Sequence, residues 1–145
     1  MVPSSTREEV VEILNRLFYY TDYRQWENLK SEVFADEVYM DMTSMGAEKA
    51  ETLTSQVICD MWDAGFKELD AIHHQSGNYI INLHLETATA KAYSIASHYK
   101  ESATQGKIRE FVGSYDFHLI KTPKGWRIDQ FTYNLKYVDG NVELK

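Results

Sequence analysis

One cysteine in 145 residues leaves Cys59 without an intrachain disulfide partner, which fits a reducing cytoplasm. The same lone thiol cannot build a thiolate metal site, and among Val57, Ile58 and Met61 it reads as a small buried hydrophobe rather than a nucleophile. The five histidines, at 73, 74, 84, 98 and 118, form no i, i+4 pair with acids, so no metal site is expected. A glycine-rich phosphate loop and a Gly-x-Ser-x-Gly elbow are both missing, which argues against nucleotide cofactors and serine hydrolysis. Basic clusters are missing too. With a net charge of −7 and its Lys and Arg scattered singly, the chain has no footprint for nucleic acid or an anionic membrane. No apolar stretch resembles a signal peptide or a membrane span, and Met1-Val2-Pro3-Ser4-Ser5-Thr6 runs straight into a charged helix. A cytoplasmic protein is expected.

What remains is apolar and aromatic. At 43% hydrophobic and 13% aromatic, residues 1–145 suffice for one domain with a well-buried core. No repeat, low-complexity tract or linker divides them. Two overlapping capping boxes, Ser5 with Glu8 and Thr6 with Glu9, predict a helix start, and Val10, Ile13, Leu14, Leu17 and Phe18 form its apolar stripe. The helix breaks near Asp22-Tyr23, and a shorter one follows through Trp26, Leu29 and Val33. Val38–Met42 reads as a short strand. A third helix is expected over 48–64, with Leu53, Val57, Met61 and Ala64 on one side and Gly65 as its stop. Strands are then predicted over 70–76, 78–85, 88–101, 108–120 and 126–138, the last two joined by a turn marked by Pro123 and Gly125. Helices first and strands afterward predict an α+β domain, with the helices on one face of a mainly antiparallel sheet.

Two residues carry the most chemistry. Asp22 closes the aromatic run Leu17-Phe18-Tyr19-Tyr20-Thr21-Asp22, and His74 opens His74-Gln75-Ser76-Gly77-Asn78. A carboxylate that orients an imidazole provides a base for proton abstraction without a cofactor. Asp22 also has a plain structural reading, as the cap of a following helix. On the last strand, alternation puts Trp126, Ile128, Gln130, Thr132 and Asn134 on one face, so Trp126 and Ile128 fill a closed end while Asn134 lines a polar mouth, or this half of the strand faces solvent. His98 is a second candidate cavity histidine, with a surface role as the alternative. His84 and His118 have no identifiable partner.

The fragments Asp22-Tyr23-Arg24-Gln25-Trp26-Glu27-Asn28-Leu29 and Val33-Phe34-Ala35-Asp36-Glu37-Val38-Tyr39-Met40-Asp41, then His74 with Asn78, then Gly125-Trp126-Arg127-Ile128, resemble the SnoaL-like branch of the NTF2-like superfamily. The resemblance covers nearly the whole chain and implies a cone-shaped α+β barrel with N-terminal helices packed on a strongly curved sheet. It further implies that Asp22 and His74 match the catalytic acid and histidine of the dehydratases and dehydrochlorinases of that branch. His73 competes with His74, since neighbouring strand residues point to opposite faces, and His74 is chosen for its spacing to Asn78. Two tyrosines of scytalone dehydratase are replaced here by Thr21 and Met42, which leaves Tyr19, Tyr20 or Tyr39 to hold a substrate carbonyl. The expected function is a cofactor-independent lyase or isomerase acting on a small hydrophobic or ring-containing substrate. Asp22 and His74 are its expected catalytic pair, with Tyr19, Tyr39, His98 and Asn134 contacting substrate. The alternative is a pocket that binds a small molecule without turning it over. A homo-oligomer, trimer or dimer, is expected from the resemblance and from the apolar residues Phe131 and Tyr133 opposite Trp126 and Ile128.

Overall fold

A computed structural model describes residues 5–145, so of the segment read as leading into the first helix, Met1–Ser4 lies outside the described residues. Helix α1 (Thr6–Asp22) begins where the Ser5 hydroxyl accepts the Glu8 amide at 3.1 Å and the Glu8 carboxylate accepts the Ser5 amide. Val10, Ile13, Leu14, Leu17 and Phe18 are all buried along its inner stripe. The helix stops at Arg24, whose φ of +55° turns the chain and lets the Gln25 amide reach the Tyr20 carbonyl at 2.7 Å. A left-handed arginine needs holding, and Arg24 Nη2 donates to the carbonyl oxygens of Phe66 and Leu69 at 3.0 and 2.8 Å. These two long-range bonds fasten the end of α1, and Asp22 with it, to the segment 66–69 that leads into the sheet.

A single turn, α2 (Trp26–Asn28), continues as a π-helical turn over Leu29–Val33 and buries Leu29 and Val33. Strand β1 (Phe34–Asp41) pairs antiparallel with β2 (Glu51–Thr54), and helix α3 (Ser55–Gly65) starts where the Thr54 hydroxyl accepts the Val57 amide at 3.2 Å. The third helix is therefore shorter than its sequence suggests. Glu51-Thr52-Leu53-Thr54 is rich in β-branched residues and finds its hydrogen-bond partners on β1, so the helix forms only from Ser55. Ile58 and Cys59 form its buried side, whereas Val57 and Met61 are 41% and 48% exposed.

Four long strands complete the chain: β3 (Ala71–Leu83), β4 (Thr87–Tyr99), β5 (Ile108–Thr122) and β6 (Gly125–Gly140). The two strands expected over 70–76 and 78–85 are one strand. Its pairing with β4 shifts between Gly77 and Ile80, where Asn78 adopts φ +57°. The six-stranded sheet runs β2-β1-β6-β5-β4-β3, with β1 and β6 parallel and the other neighbours antiparallel. It is open, with β2 and β3 at its edges, so the expected barrel does not close. Leu14, Leu17 and Phe18 from α1 join Val38, Ile58, Phe117, Leu119, Ile128 and Phe131 in one core. Burying a side chain of this size contributes roughly 1.5–3 kcal/mol. No described helix is long and apolar enough to cross a membrane.

Register along β6 decides what enters the interior. Leu119 pairs with Ile128 but His118 pairs with Gln130, which leaves Asp129 as an extra residue. The bulge reverses the faces beyond it. Trp126 and Ile128 are buried as expected, but the next buried residues are Phe131 and Tyr133, and Gln130 and Asn134 turn outward. His118 Nδ1 lies 2.6 Å from the Asp129 carboxylate, so a hydrogen bond from the facing strand holds the bulged residue.

Candidate active site

Asp22 reaches from the last turn of α1 to the start of β3 and meets His74 twice. Its Oδ1 lies 2.6 Å from His74 Nδ1, and its Oδ2 accepts the His74 backbone amide at 2.8 Å. Both side chains are largely buried, at 9% exposure for His74 and 11% for Asp22, and the Phe18 ring stacks on the imidazole at 5.1 Å. A carboxylate facing both groups accepts from each, so Nδ1 carries a proton, and in the neutral ring the lone pair is then on Nε2. Among the described residues Nε2 has no protein partner, and strand alternation leaves His73 exposed on the other side.

His74 forms part of the wall of a cavity of about 290 Å³, at the small end for a ligand site. Leu17, Phe18, Trp62, Phe66, Phe111 and Phe131 supply most of its apolar wall. Besides His74 its polar groups are few: Thr21, whose hydroxyl donates to the Leu17 carbonyl, His98, Arg109 and the phenols of Tyr115 and Tyr133. Arg109 Nε donates to His98 Nδ1 at 3.0 Å. Because a guanidinium can only donate, His98 is the neutral tautomer with its proton on Nε2. Burial, then the adjacent Arg109 charge and then His74, push the His98 pKa down to about 3. Burial also lowers Arg109 and raises both Tyr115 and Tyr133, which keeps the phenols protonated as donors. The Tyr133 hydroxyl is buried without a hydrogen-bond partner among the described residues. Gly113 makes room for that ring, since a Cβ there would stand 2.7 Å from the Tyr133 hydroxyl and 2.3 Å from the Asn134 carbonyl oxygen.

Of the residues singled out in the sequence, Asp22 and His74 come together and His98 joins them at the cavity. Tyr19, 68% exposed, is absent from this cavity wall and lines instead an outer cleft that Asp22 and His74 also line, together with Tyr23, Arg24 and His73. Tyr39 is 41% exposed, because on β1 the alternate residues Val38 and Met40 take the inward positions. Asn134 sits on the outer face beyond the Asp129 bulge, where its amide donates to Asp116 at 2.9 Å. Tyr39 and Asn134 are thus corrected as cavity contacts. Cys59 is buried with its thiol pushed up to about 11 by burial, which makes it a poor nucleophile.

Arg109, Tyr115 and Tyr133 were missed. Period-two alternation already places Arg109, Phe111, Gly113, Tyr115 and Phe117 on one face of β5, and one arginine in an aromatic row is the signal that marks it. Tyr133 follows only from the bulge. Among the described residues, no three His, Cys, Asp or Glu side chains converge as metal ligands.

Residues 3–132 match the SnoaL-like domain family. The chain belongs to this family. A protein of known structure from Kribbella flavida, Kfla4162, is 24% identical over 95% of each chain, with a TM-score of 0.90. A candidate scytalone dehydratase from Novosphingobium aromaticivorans is 12% identical over 92% of this chain and 85% of its own, with a TM-score of 0.78. The type 3 hexachlorocyclohexane dehydrochlorinase of Novosphingobium barchaimii is 11% identical over 92% and 88%, with a TM-score of 0.76. At such identities the likeness establishes the NTF2-like fold, which hosts many functions. A search of curated proteins finds no match by sequence.

Proposed function

We propose that the SnoaL-like cavity is the active site of a lyase or isomerase that needs no cofactor, with His74 as general base and Asp22 as the residue that orients it. One observation carries the reading: Asp22 occupies Nδ1 at 2.6 Å while Nε2 of a cavity-lining imidazole has no protein partner among the described residues. Nε2 takes a proton from carbon next to a ring carbonyl, and the C–H electron pair moves toward the carbonyl oxygen to give an enolate. The Tyr115 and Tyr133 hydroxyls donate to that oxygen. In an elimination the enolate expels a β-hydroxyl, which takes the proton back from His74 and leaves as water. In an isomerisation the proton returns to a different carbon. Either way His74 ends neutral. The apolar walls favour a small hydrophobic or ring-containing substrate.

Solvent deuterium exchange into the α-carbons of 2-tetralone, followed by NMR, tests the reading. Wild-type protein should accelerate exchange and His74→Ala should not. Binding of the ketone with no exchange would favour a pocket that only binds.

The assembly is proposed to be a homo-oligomer in the cytoplasm. The first argument for it falls, because the bulge turns Phe131 and Tyr133 inward together with Trp126 and Ile128. What supports it instead is the outer face of the sheet, where Ile95, Val112 and Tyr137 lie in register and Tyr93 and Tyr137 are 53% and 58% exposed. Sedimentation equilibrium distinguishes a trimer or dimer from a monomer.

A further inference from the structure

Arg109 brings a full positive charge to the cavity wall, and nothing in the described protein neutralises it. Its two hydrogen bonds go to neutral acceptors, His98 Nδ1 at 3.0 Å and the Val142 carbonyl at 3.0 Å, and no carboxylate lies within salt-bridge distance. No Asp or Glu lines the cavity, and the nearby carboxylate of Asp22 is committed with both oxygens to His74. Nη2 is left over. So is the Nε2–H of His98, which the Arg109 bond fixes as a donor. The cavity therefore presents one cation, an imidazole N–H tied to it and the Tyr133 hydroxyl with no partner, against apolar rings and no anion. A partly desolvated cation and a surplus of donors are complementary to a ligand that carries negative charge and oxygen lone pairs.

We infer that the substrate is itself an anion, a ring compound bearing a carboxylate that Arg109 and the Nε2–H of His98 hold while the ring lies among Phe18, Trp62, Phe111 and Phe131. This rests on the reading of the cavity as the substrate site and adds the class of molecule it takes. It also gives the two halves of the cavity separate duties. His98 and Arg109 anchor the carboxylate; His74 meets the carbon that loses its proton.

Isothermal titration with 2-naphthoate and with its uncharged counterpart 2-naphthamide tests the inference on the full chain. Wild-type protein should bind the carboxylate on the order of 10- to 100-fold more tightly, the usual range for a hydrogen bond to a charged group. Arg109→Met, which keeps an unbranched side chain but removes the charge, should reduce naphthoate to the level of naphthamide. Naphthamide binding as well as naphthoate, neither probe binding, or naphthoate binding unchanged in Arg109→Met would each overturn it. Should Arg109→Met fail to fold, the two probes on wild-type protein decide alone. If naphthoate selectivity holds while tetralone exchange fails, the base assignment falls and the anion site stands.

Discussion

Asp22 holds both the side chain and the backbone of His74, with one carboxylate oxygen on the ring at 2.6 Å and the other on the strand amide at 2.8 Å. The orientation of the imidazole and the docking of α1 on β3 thus depend on the same side chain. Arg24, two residues further on, locks that docking through the carbonyls of Phe66 and Leu69. The pair is positioned by contacts distant in sequence, which is why it lies deep in a packed wall and not on a mobile loop.

Asp22→Asn separates these duties. An asparagine accepts through one oxygen only and turns an N–H toward the ring, so the imidazole must move its proton to Nε2, which is then no longer a base, or leave a largely buried N–H without a partner at a cost of about 1–3 kcal/mol. Thermal unfolding should show a lowered Tm, and tetralone exchange should fall by roughly 10²- to 10⁴-fold. The double variant with His74→Ala should be no slower than His74→Ala alone, because the two act as a unit. Additive losses would separate them.

Tyr133→Phe is expected to split stability from activity. Its hydroxyl is buried with no partner, so removing it should leave Tm unchanged or slightly raised. Exchange should nonetheless slow, by roughly 10- to 10³-fold, if that hydroxyl donates to the developing enolate. A large drop in Tm would mean that the hydroxyl has a structural partner in solution.

His98 ties stability to pH. Its pKa falls from the ordinary 6.5 to about 3 on folding, so between these values the unfolded chain binds a proton that the folded chain does not. Stability attributable to this group is complete above pH 6.5 and is lost progressively as pH falls toward 3. Denaturant midpoints measured across that window should fall less steeply in His98→Gln than in wild type. Parallel curves would show that His98 is protonated in the folded protein.

The sequence made the helix-then-strand order, the capped first helix and the Asp22–His74 pairing legible, because each rests on local pattern or on a resemblance spread along the chain. Helix α3 was misread at its start because Glu51–Thr54 is decided by partners on β1, not by its own periodicity. Asn134 is expected in the cavity only if alternation runs unbroken through Asp129, where one extra residue reverses the faces as far as the second bulge at Lys136. Arg109 is legible from the same alternation on β5, as the one arginine on a face with Phe111, Tyr115 and Phe117. Tyr39 faces outward for a simpler reason: an aromatic near a motif need not face inward, and on β1 the alternate residues Val38 and Met40 take the buried positions.

The most direct measurement asks whether His74 abstracts a proton at all, independent of any natural substrate. 5-Nitrobenzisoxazole is a compact aromatic whose ring opens, with release of a coloured phenolate, when a base removes its one acidic carbon-bound proton. Wild-type protein should open it faster than buffer, and His74→Ala, shown folded by circular dichroism, should lose on the order of 10²-fold or more of that acceleration. Equal rates for the wild type and His74→Ala would contradict the account, leaving the Asp22–His74 pair as a structural tie between helix and sheet.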